Sequence, residues 1–373
     1  MAKWLRKLGV SLTAVLLLAS ISSCSKECDC NGAEGATAAA QKTVHWKLVT
    51  TWPKHFPGLG TAPENFAKAV DAMSNGRLKI KVFGANELVP AMEVFDAVSR
   101  GAAEMGHGAA YYWKGKTPAA QFFTAVPFGL TAQEMNGWLH YGGGLELWRE
   151  LYDKFNLVPF AGGSTGVQMA GWFNKEINSV DDLKGLKMRI PGLAGEVFQR
   201  LGGIPVTLPG GELFTSLQTG SIDATEWVGP YNDLTFGLHK AFKADRYYYY
   251  PGWHEPGAML EFVINKEQWN TLPDDLKAIV TYAARGVNQD MLDEYTARNN
   301  AALKELTEHH GVELRRLPDD VLAALRQASE QVIAETVAND PDAKKVYDSF
   351  KAFSDDVTPY TRISEEAYLK TRQ

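Results

Sequence analysis

Arg189, Glu226 and Gln168 are the residues on which chemistry would turn. Arg189 lies in KMRIPG, at the expected end of a strand, just before Pro191 and Gly192 punctuate the chain. A guanidinium there can hold a carboxylate through two parallel hydrogen bonds; by residue type alone it could equally be a solvated arginine beside Lys187. Glu226 and Trp227 close the stretch DATEW. A carboxylate facing a bound carboxylate repels it, so an acid in such a site requires a cation between them. Outside such a site Glu226 would be an ordinary surface or hydrogen-bonded acid. Gln168 sits in GVQMAGW, on what reads as a strand, among apolar and small residues where a buried amide needs partners. The bland reading is a sheet glutamine bonded to neighbouring backbone. The indole of Trp227 could wall a pocket and close over a small apolar chain.

The elements that must position these residues are written twice. Val89, Pro90, Glu93, Phe95, Val98, Gly101 and Glu104 match Leu208, Pro209, Glu212, Phe214, Leu217, Gly220 and Asp223 in identity or type at a constant offset. One helix-and-strand unit thus recurs, and the same register sets His107 opposite Glu226, each where a strand should end. Ligands of open α/β sheets sit outside the carboxyl ends of strands, so two related lobes would present these residues to a shared cleft.

A coarse reading supports two such lobes. Val44 to Thr50 alternates as a strand; Thr61, Ala62 and Pro63 open a helix with an apolar face of Phe66, Ala69, Val70 and Met73; Leu78, Ile80 and Val82 form the next strand. Pro90 to Ser99 reads as a helix and Glu104 to His107 leads into a third strand, a βαβαβ order that implies a largely parallel sheet. A second set runs from Gln168 through a Ser179/Asp182 capping box, a Leu186 to Ile190 strand, a Gly192 to Leu201 helix and an Ile204 to Leu208 strand to the repeated unit. The expected fold is α/β and two-lobed, a periplasmic binding protein fold, each lobe a mostly parallel sheet flanked by helices. Residues 44–165 make lobe I, completed by about 228–265, and residues 166–227 make lobe II, completed by parts of about 266–330. Long helices then brace the lobes or dock a second subunit, and residues 331–373 form a helical tail.

The N-terminus points to export. Lys3, Arg6 and Lys7 precede an apolar run from Leu8 to Ile21, the anatomy of a secretory signal rather than a span. The run closes on Ile21-Ser22-Ser23-Cys24, which resembles a lipoprotein processing box with residues 1–23 removed and Cys24 acylated; ordinary cleavage nearby would leave Cys24 a thiol. Residues 24–43, with Cys28 and Cys30, read as a flexible tether. No other cysteine exists, so the body holds neither a disulfide framework nor a thiolate metal site. Loss of residues 1–23 takes the formal charge from −6 to −9, since it removes three cations and no acid. This acidic balance, with no basic stripe in the body, argues against nucleic acid as a partner. No dinucleotide-binding GxGxxG, phosphate-loop or HExxH motif occurs, so catalysis is unsupported.

Four stretches carry a family resemblance over nearly all of the mature chain: EMGHGAAYYWKGK, LKGLKMRIPGLAGEVFQRLG, GELFTSLQTGSIDATEWVGPYND and YYYYPGWHEPG. They resemble the substrate-binding proteins of tripartite ATP-independent periplasmic (TRAP) transporters, and within them the monocarboxylate and 2-oxoacid branch. The resemblance implies a receptor, not an enzyme, that closes on a small monocarboxylate such as pyruvate and delivers it to membrane permease subunits. It implies that Arg189 holds the carboxylate and that a sodium or calcium ion bridges ligand and protein. Glu226, the backbone carbonyl of Trp227 and the amide oxygen of Gln168 would hold the ion, with Glu255 a further ligand, all hard oxygen donors. Tyr112 would present a phenol from lobe I, with Asn232 a ligand contact or a residue fixing the hinge strand. Trp52, after the first strand, would line the cleft rim. A periplasmic location with a lipid anchor at Cys24 follows, and a homodimer is compatible with the long helices. A dicarboxylate or sugar-acid receptor would need a second basic residue in the cleft, and an enzyme on the same fold would use Glu226 or His107 as acid or base.

Overall fold

A computed structural model describes residues 43–242 and 246–372; the expected leader, most of the tether and Cys24, Cys28 and Cys30 lie outside the described residues. Among the described residues the strands are, in chain order, β1 Val44–Thr50, β2 Leu78–Phe83, β3 Met105–Gly108, β4 Leu157–Ser164, β5 Gly171–Phe173, β6 Lys187–Arg189, β7 Ile204–Val206, β8 Ala224–Thr225, β9 Tyr247–Tyr250, β10 Met259–Asn265 and β11 Glu313–Arg316. They form two sheets, ordered β2-β1-β3-β10-β4 and β11-β9-β5-β8-β6-β7.

The expected parallel units are present: β1 runs parallel to β2 and β3, and β6 runs parallel to β7 and β8. Both sheets are nevertheless mixed. β10 pairs antiparallel with β3 and β4, and β5 pairs antiparallel with β8 and β9. These strands enter a sheet after the chain has crossed from the other one, between β4 and β5 and back between β9 and β10, so no crossover helix imposes parallel entry. With the later passage from β10 to β11, the chain crosses between the sheets three times, and such crossings are the form of a hinge.

The repeat seen in the sequence is structural. In the first unit a 3₁₀ turn Ala91–Glu93 feeds the helix Val94–Ser99, Gly101 turns the chain at φ +75°, and β3 follows. In the second, Gly210–Glu212 feeds Leu213–Thr219, Gly220 turns at φ +74°, and β8 follows. The left-handed turn explains why glycine stands at both positions. Helix Thr61–Met73 buries Phe66 and Val70 against the first sheet, each worth about 1.5–3 kcal/mol of burial, and leaves Met73 half exposed.

Two helices of the first lobe, Ala132–Tyr141 and Gly144–Asp153, were not anticipated, although Thr131 and Glu134 form a reciprocal capping box that marks the first of them. The helix Asp319–Asn339 docks on Gly192–Arg200 through Arg200 and Glu335, whereas Pro341–Thr361 docks on the first lobe, where Lys345 meets Glu150 at 2.6 Å and Phe350 packs on Trp138.

Candidate functional site

Strand ends of the second sheet converge on one edge. β6 ends at Arg189, and its parallel partner β8 stops at Thr225, so Glu226 leaves the sheet beside Arg189. β5 runs the other way, which brings the segment before Gly171 to the same edge, and β9 delivers the chain toward Glu255 there. Gln168 is therefore not on a strand as expected; it lies in the irregular lead-in to β5. Its backbone N–H donates to the Glu255 carbonyl at 3.2 Å, and Met169 N–H donates to the Val228 carbonyl at 3.0 Å. Close approach is what makes this stitching possible: a Cβ on Gly252 would sit 2.1 Å from the Gln168 carbonyl oxygen, and one on Gly210 would sit 2.4 Å from the Trp227 ring.

Arg189 and Glu226 are 1 % and 0 % exposed and form a direct ion pair through Nη1 and Oε1. Arg189 Nε donates to the Leu208 carbonyl at 3.2 Å, Nη2 donates to the Tyr112 hydroxyl at 3.0 Å, and the guanidinium lies 5.1 Å over the Trp227 ring. Burial works against the charged guanidinium, and the Glu226 carboxylate overrides it, so the pKa is raised. Arg189 therefore already has protein partners: Glu226 is its counter-ion, and the Leu208 carbonyl and the Tyr112 hydroxyl accept its other bonds.

Tyr112 follows β3 and Trp52 follows β1, so the first lobe supplies the opposite wall. Trp52, Tyr111, Tyr112, Thr165, Gln168, Trp227 and Glu255 line a pinched cavity of about 10 Å³, room for roughly one water and far below the ~300–1,000 Å³ of pockets for drug-sized ligands. No lysine or arginine lines it among the described residues. Trp227 packs edge-on against Trp52, with centroids 5.9 Å apart.

Several buried polar atoms around this cavity lack partners: Gln168 Oε1, Glu226 Oε2, Trp227 Nε1 and both ring nitrogens of His254. Gln168 Nε2 donates to Glu255 Oε2 at 2.7 Å and to Thr165 Oγ1 at 3.2 Å, which turns the amide oxygen away from both. Burial, then the nearby Glu226, raises the Glu255 pKa well above the carboxylate range, with Arg189 and the Gln168 bond opposing. Buried acceptors without donors are what a cation site of oxygen ligands requires, and Glu226, His254 and Glu255 bring ligand atoms within 4.8 Å of one another. These donors fit a bound ion.

Asn232 is not brought to the cavity: Nδ2 donates to the Pro57 carbonyl at 2.9 Å and Oδ1 accepts from the Tyr295 hydroxyl at 2.8 Å, so its amide ties two segments together. His107 lies at a strand end but has both nitrogens bonded within the first lobe. His254 was passed over in the sequence, although its place beside Glu255 in GWHEPG was the available signal. A Gly-x-Ser-x-Gly pattern does occur, at residues 162–166, but Ser164 is buried at the end of β4 and accepts from Gly166 N–H; it forms no strand-to-helix elbow.

Residues 48–340 match the family model described as DctP, bacterial extracellular solute-binding protein, family 7. The chain belongs to this family. Its members are receptors of TRAP transporters, so this family 7 protein is a periplasmic solute receptor rather than an enzyme. It is 46 % identical over 332 residues to the monocarboxylate 2-oxoacid-binding periplasmic protein of Nostoc sp., covering 88 % of this chain and 89 % of that one. Among solved structures, a TRAP solute-binding protein from Pseudoalteromonas atlantica with bound sodium and pyruvate is 46 % identical, with a TM-score of 0.85 over 89 % of this chain and all of that one. A TRAP solute-binding protein from Colwellia psychrerythraea with bound calcium and pyruvate is 45 % identical, with a TM-score of 0.85 over 88 % of this chain and all of that one.

Proposed function

We propose that this receptor binds a small monocarboxylate, a 2-oxo acid such as pyruvate, together with a sodium or calcium ion, and passes it to the TRAP permease. The observation that carries the reading is the small cavity lined by Tyr112, Gln168 and Glu255, behind which Arg189 bonds the Tyr112 hydroxyl and pairs with Glu226, while Gln168 Oε1 and Glu226 Oε2 are left without hydrogen-bond partners. Arg189 Nη2 and the Tyr112 hydroxyl would take the ligand carboxylate. Gln168, Glu226, Glu255 and the Trp227 carbonyl would hold the ion, whose positive charge offsets the repulsion between ligand and acids. Charge favours this assembly: Glu226 and a monocarboxylate alone carry two negative charges against one on Arg189, and a cation between them offsets the excess. The ligands named for the Pseudoalteromonas and Colwellia proteins support the same ligand class.

Calorimetric titration of chelator-stripped protein with pyruvate, with and without sodium or calcium, tests the reading beside Arg189→Ala and Glu226→Ala. Binding that needs the ion and both side chains supports it. Binding indifferent to ion and to Glu226 leaves a carboxylate receptor without the bridge, and dicarboxylate binding in place of pyruvate overturns the ligand class.

Two finer features belong to the same reading. A lipid anchor at Cys24 rests on the signal-like sequence before it, and mass spectrometry of the membrane-extracted protein reads the acyl mass directly. A homodimer is supported by Tyr360, Ile363 and Tyr368, which are largely exposed along the last helical turns, and sedimentation velocity would show a single monomeric species if that support is misleading.

A further inference from the structure

Resting on the ion-dependent reading above, we infer that His254 contributes an imidazole nitrogen to the ion site, so that the receptor also accepts nitrogen-binding divalent transition ions such as Mn²⁺, Co²⁺ or Zn²⁺. The imidazole is fully buried, and neither ring nitrogen has a hydrogen-bond partner. A buried histidine ordinarily fixes its tautomer by bonding at least one nitrogen, as His107 does in this chain at both. His254 does neither, and its Nε2 stands 3.6 Å from Glu226 Oε2, itself a buried acceptor without a donor. With Glu255 the three side chains place one ligand atom each within 4.8 Å of the others, a spacing that one ion can span.

The loop holds this imidazole in place. Phe128 N–H donates to the Trp253 carbonyl at 2.8 Å, and the Trp253 ring packs edge-on to His254 at 5.5 Å. Gln168 N–H holds the Glu255 carbonyl from the other side. Two carboxylates, an amide oxygen and an imidazole form a mixed oxygen and nitrogen donor set. Oxygen alone suits sodium and calcium, whereas an imidazole shifts preference toward first-row divalent ions.

The experiment is pulsed electron paramagnetic resonance on chelator-stripped protein loaded with Mn²⁺ and pyruvate, paired with calorimetry of pyruvate binding in calcium, manganese or zinc. The expected result is a coupling from a directly bound ¹⁴N in the wild type that disappears in His254→Gln. That variant should lose roughly tenfold or more in Mn²⁺ or Zn²⁺ affinity while calcium-supported pyruvate binding changes far less. A Mn²⁺-loaded protein that binds pyruvate without nitrogen coupling overturns the inference and leaves His254 as a partner of Glu226 alone. The calcium arm separates the two claims: pyruvate binding that calcium supports, beside a Mn²⁺ form that shows no nitrogen coupling, sinks only the histidine ligand, whereas pyruvate binding that ignores every ion sinks both.

Discussion

The indole Nε1 of Trp52 donates to Nδ1 of His107 at 2.9 Å, and His107 spends Nε2 on the Gly162 carbonyl at 2.9 Å. Since Nδ1 accepts, the ring proton must sit on Nε2, and the tautomer is fixed. Burial lowers the His107 pKa to about 4, with the Gly162 bond opposing, so the ring is neutral at pH 7. The internal repeat places His107 opposite Glu226. The same helix-and-strand unit therefore delivers an acid to Arg189 in one lobe and, in the other, a histidine that steadies a cavity wall.

Replacing His107 by Phe keeps the volume but leaves the Trp52 N–H buried without an acceptor, a defect of about 1–3 kcal/mol. Part of that falls on the closed cavity, so pyruvate affinity should drop by roughly tenfold, about 1.4 kcal/mol. His107→Asn restores an acceptor near the Nδ1 position and should recover most of the loss. Calorimetry on both variants checks this; equal losses would show that Trp52 does not depend on the bond.

Arg189→Lys should behave almost as badly as Arg189→Ala. Lysine cannot reach Glu226, Leu208 and Tyr112 together as the planar fork does. Breaking a buried pair by removing one partner costs about 3–5 kcal/mol, because Glu226 stays buried and unpaired. Both variants should lower the melting temperature as well as abolish pyruvate heat at ordinary concentrations. The double change Arg189→Met with Glu226→Gln should regain stability but not binding, which separates the fold's need from the ligand's.

Much of this architecture was legible because it rests on local patterns. Helix Thr61–Met73, strand β1 and the repeated unit follow from periodicity and glycine stops, and Arg189 and Glu226 follow from strand ends. What local pattern could not show is long-range. The antiparallel entry of β10 depends on the chain's return from the other lobe. Its third residue, Glu261, looks like a surface acid in MLEFVIN, yet it is buried and accepts from Trp113 Nε1 and from the Tyr152 hydroxyl at 2.8 Å. The direct Arg189–Glu226 pair was likewise hidden, since sequence places both at the site without saying that each is the other's partner.

Glu261 gives a pH signature. Burial raises its pKa to about 7, with the bonds from Trp113 and Tyr152 opposing. A carboxyl whose folded pKa lies above its unfolded value near 4.5 favours the folded state in its protonated form. That contribution is fully present below about pH 4.5 and is lost as pH rises through about 7. Glu261→Gln cannot titrate, so wild-type stability relative to the variant should decline between pH 4.5 and 7 and level off above. Denaturant melts across that range measure the difference, in which Asp233, raised to about 7 chiefly by burial, cancels because both proteins carry it. A flat difference would mean that Glu261 is charged in the folded protein throughout.

Of the contacts that join the lobes near the cavity, two polar ones should differ sharply in worth. Lys114 meets Glu196 at 3.0 Å, but both side chains are more than a third exposed, and such pairs contribute about 0–1 kcal/mol. Arg189 meets Tyr112 at 3.0 Å where the guanidinium is sealed from water and charge-assisted bonds are strong. Lys114→Ala should therefore leave pyruvate affinity within about threefold. Tyr112→Phe, which removes only the hydroxyl oxygen, should cost about 1.5–3 kcal/mol, roughly tenfold or more in affinity. Small-angle scattering with saturating pyruvate adds the structural readout: a compact form retained by Lys114→Ala but opened in Tyr112→Phe places the latch at the buried bond. The reverse order would place it in the surface pair and remove Tyr112 from closure.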